Sequence, residues 1–136
     1  MVPGVGFFLQ VPADAAEESY DVFMLGEVPG DNNDSGTTTV ALAGGGFSLT
    51  VYPYPATVNW ADTTLAAAAA TGDRLIMWRA GTQGYEAGSL SVNMMTGARS
   101  WGALDDEALD PGEGFFFENG SSGAISWEET KPYAWP

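Results

Sequence analysis

The chain has 136 residues, with 18 Asp plus Glu against 4 Lys plus Arg and a formal net charge of -14. That length suits one domain with its own core. The absence of cysteine and histidine excludes a disulfide framework, a thiol nucleophile, a Ser-His-Asp triad and a histidine-ligated zinc site.

The acidic surface repels phosphate backbones, so neither nucleic acid nor an anionic membrane is an expected partner. Hydrophobic residues reach 45 % and aromatics 12 %, too rich for a disordered acidic tail. Met1 to Phe8 has no basic start, no long apolar run and no cleavage site, so it does not read as a signal peptide. No stretch approaches the roughly 20 apolar residues of a membrane span.

Short runs rich in β-branched and aromatic residues lie between glycine and proline punctuation. Val5 to Gln10 and Tyr20 to Val28 are the first two predicted strands. A polar loop, Asp31 to Gly36, leads into a strand over Thr37 to Ala43, and Gly44-Gly45-Gly46 turns the chain into Phe47 to Tyr52. There Phe47, Leu49 and Val51 alternate with Ser48 and Thr50, the cleanest half-buried strand in the chain. Pro53 and Pro55 end it. Asp62 is the expected N-cap of one short helix, Thr63 to Ala70, which Gly72 stops. Leu75 to Arg79 and Tyr85 to Met94 are predicted strands, with Trp78 expected in the core. Residues 96–112 read as an irregular acidic loop. The last pair is Gly114 to Glu118 and Ala124 to Glu128. About eight short strands and at most one short helix predict an all-β antiparallel sandwich or barrel, forming a single β domain over 1–136.

The chain repeats itself. Pro3-Gly4-Val5-Gly6-Phe7-Phe8 and Pro111-Gly112-Glu113-Gly114-Phe115-Phe116 both read P-G-x-G-F-F, and a polar turn and a second apolar strand follow each copy. Residues 1–30 then resemble the end of a preceding repeat, and 37–130 form one nearly complete repeat. Two explanations stay open: a piece of a tandem array, or a first hairpin that completes the domain by pairing with the rest.

Gly46-Phe47-Ser48-Leu49-Thr50-Val51-Tyr52-Pro53-Tyr54-Pro55 with Val58-Asn59-Trp60, then Leu75-Ile76-Met77-Trp78 with Tyr85, then Pro111 to Phe117, form a pattern. It resembles an uncharacterised tandem β-repeat module of secreted and cell-surface bacterial proteins. Tyr52 stands where that module has Asn, so any role of that Asn is not carried over. The resemblance implies export, an extracellular or cell-surface location, tandem copies and a β fold, with no defined activity. Strong acidity and few lysines suit the same habitat.

The candidate sites are few. Asp31, Asn33 and Ser35 sit at alternating positions before Gly36, as in the first half of a calcium loop; the twelfth position is Leu42, so the bidentate carboxylate is missing and a solvated turn is the competing reading. No cofactor is expected, and calcium is the one that the residues leave open. Asp105, Asp106, Glu107, Asp110 and Glu113 form a second acidic set, read first as a charged surface loop. Trp101, Trp135, Tyr85 and Trp60 are candidate sugar-stacking rings, with Trp101 and Trp135 expected at the surface; filling the core is the competing use of such rings. A pair of carboxylates such as Glu113 with Asp110 or Glu86 could act as acid and base on a glycosidic bond, but a chain so rich in acids offers many such pairs. Asn119-Gly120-Ser121 is formally a glycosylation sequon and reads as a tight turn. The expectation is a non-catalytic structural or interaction module whose partner is a neighbouring repeat or another protein. Self-association by edge-strand pairing is the expected route to an oligomer. A carbohydrate-binding module, calcium-supported, is the alternative.

Overall fold

The computed structural model describes Gly6 and residues 36–133. The predicted strands at Val5 to Gln10 and Tyr20 to Val28 lie outside the described residues, Gly6 apart. The described part is all-β: ten antiparallel strands, one α-helix and two 3₁₀ turns. The six long strands are β1 (Thr37–Leu42), β2 (Gly46–Val51), β4 (Arg74–Arg79), β5 (Gly84–Ser89), β9 (Gly114–Asn119) and β10 (Ile125–Thr130). The two-residue strands are β3 (Val58–Asn59), β6 (Ser91–Val92), β7 (Arg99–Ser100) and β8 (Ala108–Leu109).

Among the described residues, the main sheet has the order β2-β9-β4-β5, and β1 pairs with β10 in a second sheet. The two sheets meet through Phe115 of β9 and Trp127 of β10, whose ring centroids lie 6.3 Å apart. β9 and β10, expected as a last pair, lie in different sheets: β9 pairs with β2 and β4, and β10 with β1. The ribbon β1/β10 continues into the ribbon β2/β9 around a shared corner, where both chains change sheets together.

Residues 43–45 and 120–124 make that corner. Gly45 N donates to Ser121 O. A Cβ at Gly44 would lie 2.3 Å from Ser122 O, so only glycine permits this approach. The Asn119 side chain clamps both strands: Nδ2 donates to Ala43 O at 3.1 Å and to Gly123 O at 2.7 Å.

The helix α1 spans Thr64–Ala68 and is shorter than expected. Its N-cap is Thr63, whose hydroxyl accepts from Ala66 N at 3.1 Å, whereas Asp62 closes the preceding 3₁₀ turn, Trp60–Asp62. Arg99 Nη2 donates to Ala66 O at 2.9 Å and Ala69 O at 2.7 Å, satisfying carbonyls at the helix end. β5 stops at Ser89 because Leu90 turns into the core and bonds the backbone of the 72–73 turn.

One core gathers Leu75 and Met77 of β4, Phe115 and Phe117 of β9, Trp127, Leu65 of α1, and Trp60, Trp101, Leu104 and Leu109. The segment 96–112 is therefore only partly the surface loop that its acids suggest. It carries β7, a 3₁₀ turn (Gly102–Leu104) and β8, and buries Trp101, Leu104 and Leu109.

Candidate functional site

The two faces of the main sheet differ in a way that alternation alone does not decide. Thr50 of β2 points inward and is 1 % exposed, whereas Phe47 is 57 % exposed. The apolar set Phe47, Leu49 and Val51 therefore faces away from the core. Met77 is buried and its neighbour Trp78, expected in the core, is 44 % exposed. Trp78 lies opposite Tyr85, itself 56 % exposed, with ring centroids 4.9 Å apart and planes at 66°. Tyr85 meets Phe116 at 5.9 Å and 69°. Cross-strand register sets Leu49, Phe116, Ile76 and Ala87 in one row across all four strands. Arg74 and Glu118 pair at 2.8 Å beside Phe47 on the same face. This outer face, apolar and aromatic with one ion pair, is the candidate site.

Of the three proposed stacking rings among the described residues, Trp60, Trp101 and Tyr85, only Tyr85 lies at the surface. Trp60 is 0 % and Trp101 3 % exposed, and the two pack edge-to-face at 5.0 Å. Their faces are spent on the core, which corrects their assignment as ligand platforms. The 3₁₀ turn at 102–104 folds Trp101 inward, which its polar neighbours conceal in the sequence. Trp135, Asp31, Asn33 and Ser35 lie outside the described residues. Tyr54 is also buried, its hydroxyl donating to Gly36 O at 2.7 Å and Glu129 O at 3.1 Å.

Four of the five acids of the second candidate set, Asp105, Glu107, Asp110 and Glu113, have structural partners. Asp105 accepts from Trp101 N and from Ser100 Oγ, the latter at 2.8 Å. Asp110 accepts from Thr57 Oγ1 at 2.9 Å, and Glu113 accepts from Asp110 N at 3.2 Å. Glu107 takes a bidentate pair from Arg79 at 2.7 and 2.6 Å, and Arg79 Nε donates to Glu86 at 2.7 Å. Bonding to Glu107 first, then to Glu86, holds the Arg79 guanidinium charged even more firmly than usual. These bonds tie the 105–107 loop to β4 and β5. Among the described residues, no group of three or more acids is placed to hold a metal ion.

Two buried polar groups, Asp73 and Glu129, went unnoticed in the sequence. Asp73 accepts from Ala70 N at 2.8 Å and Gly120 N at 2.9 Å, joining the turn after α1 to the sheet corner. Glu129 accepts from Trp127 Nε1 at 2.9 Å and from Thr64 N at 3.0 Å, joining β10 to α1. Asn119 has its amide inside the corner, so the sequon reads as a turn clamp. Burial first, then the Glu129 charge, pushes the Tyr52 hydroxyl up to about 12. No helix among the described residues is long and apolar enough to cross a membrane.

In comparisons with family models, with curated proteins and with solved structures, nothing matches the chain.

Proposed function

We propose that this chain is a non-catalytic structural and interaction module of an extracellular or surface-exposed bacterial protein, working through surfaces that it offers to a neighbouring repeat or another protein. The observation that carries the reading is the outer face of the main sheet. Phe47, Trp78 and Tyr85 lie exposed there around the row Leu49, Phe116, Ile76. Apolar faces of that kind mark contact surfaces more often than catalytic ones. The carboxylates that a glycosidase would need support the same reading, since Glu86, Asp110 and Glu113 are committed to an ion pair or to local bonds.

A carbohydrate-binding module is the second reading, favoured by the exposed Trp78–Tyr85 pair. Its rings stand at 66°, an angled surface rather than a flat platform for a sugar ring. A thermal melt with and without calcium, over a panel of soluble polysaccharides, separates the two, because a ligand of the folded state raises the midpoint by mass action. The module reading expects no glycan-dependent shift. A shift with one glycan that is lost in Tyr85→Ala overturns it in favour of sugar binding.

A further inference from the structure

The outer face of the main sheet has a natural occupant within the chain. Its central row, Leu49-Phe116-Ile76-Ala87, crosses all four strands. Leu49, Phe116 and Ile76 are half-buried, although they point away from the core, while Phe47, Trp78 and Tyr85 around them are exposed. Gly6 lies against Leu49, at the β2 end of this row. A Cβ built on it would be 2.6 Å from Leu49 Cγ and 3.3 Å from the Leu49 carbonyl carbon, an approach that only glycine makes. Gly114, which holds the same place in the second P-G-x-G-F-F, also borders Leu49: its Cβ position is 3.7 Å from Leu49 Cδ1. The two motif glycines thus converge on one side chain.

The residues after Gly6 suit the row. Phe7-Phe8-Leu9-Gln10-Val11 carries no charge in a chain of net charge -14. Five extended residues span roughly 17 Å, and four strands are about 14 Å across, so the segment has the reach to cross the row. The chain then has residues 12–35 in which to return to Gly36, just before β1.

We propose that Phe7–Val11 dock on the outer face of the main sheet of the same chain, over Leu49, Phe116 and Ile76. The first P-G-x-G-F-F is then the cover of the sheet whose β9 carries the second. This deepens the interaction-module reading and rests on it in one respect: in a tandem array, the end of the preceding copy supplies the cover. A glycan-dependent melting shift would sink that reading and leave the cover in place.

The test uses the full chain with Phe8→p-benzoylphenylalanine, irradiated at low concentration and mapped by mass spectrometry. The expected result is an intrachain cross-link in a product of monomer mass, with insertion within residues 46–51, 74–79 or 114–119. Cross-linked dimers as the main product would assign the face to a second copy and overturn the proposal. Insertion elsewhere, or none, overturns it as well. Gly6→Val on the same chain drives a side chain into Leu49 and should lower the intrachain yield about fivefold or more. Near-UV circular dichroism from the buried tryptophans should stay unchanged. An undiminished yield in a chain that keeps that signal also overturns the proposal, and if the signal is lost the Phe8 map decides alone.

Discussion

Asp73 shows how much of this chain's polar chemistry is spent on architecture. Its carboxylate is buried and accepts two backbone N–H groups from segments 47 residues apart in sequence, Ala70 to Asp73 and Gly120. Removing it strands both donors. Asp73→Ala is expected to cost about 2–4 kcal/mol in urea unfolding, more than a surface acid would. Tyr52 has a different signature. Its folded hydroxyl titrates at about 12, against 10.0 ordinarily. A group whose folded value is raised contributes stability below the unfolded value and loses it as pH rises toward the folded one. The urea midpoint is therefore expected to fall between about pH 10 and pH 12. In Tyr52→Phe that fall should shrink; an unchanged profile would show that another group carries it.

At the scale of the element, β2 is the informative strand. Its alternation is regular, yet the apolar set faces outward and Thr50 faces the core. The neighbouring β9 explains this: Phe115 and Phe117 fill the inner layer, where they meet Trp60 at 5.7 and 6.2 Å. β2 contributes its smaller residues to that crowded side. The consequence is measurable. Phe117→Ala should cost about 3–5 kcal/mol, whereas Phe47→Ala should cost under about 1 kcal/mol. Equal costs would mean that Phe47 is covered far more than its exposure indicates. The corner between the sheets is the other decisive element. There Gly44 and the Asn119 amide let two strands change sheets side by side.

At the scale of the whole molecule, charge dominates. A net charge of -14 repels itself in any compact state, and added salt screens that repulsion. Raising sodium chloride from low to moderate concentration should raise the melting midpoint; a flat or falling dependence would mean that ion pairs such as Arg79 with Glu107 outweigh the general repulsion. The three arginines are placed where they join segments: Arg79 ties the 105–107 loop to the main sheet, Arg99 the end of α1, and Arg74 the adjacent β9.

Local chemistry made several features legible from the sequence. The all-β class follows from short β-branched and aromatic runs between glycines and prolines. The alanine run after Thr63 marks the helix, and Gly44 to Gly46 marks the passage from β1 to β2. What the sequence left open is which side of each strand is buried and which sheet each strand joins. Alternation defines two faces but assigns neither to the core when both carry large apolar residues, as Met77 and Trp78 do on β4. Trp101 and Trp78 exchange their expected places for that reason: a 3₁₀ turn brings one inward, and the register of β4 sends the other out. The sequence by itself determined the β class, the approximate positions of the long described strands and of the helix, and the acidic surface, because those depend on near neighbours and composition. The tertiary structure alone decided the buried faces, the sheet-switching corner and the outer apolar row, because each arises from pairing between residues far apart in the chain.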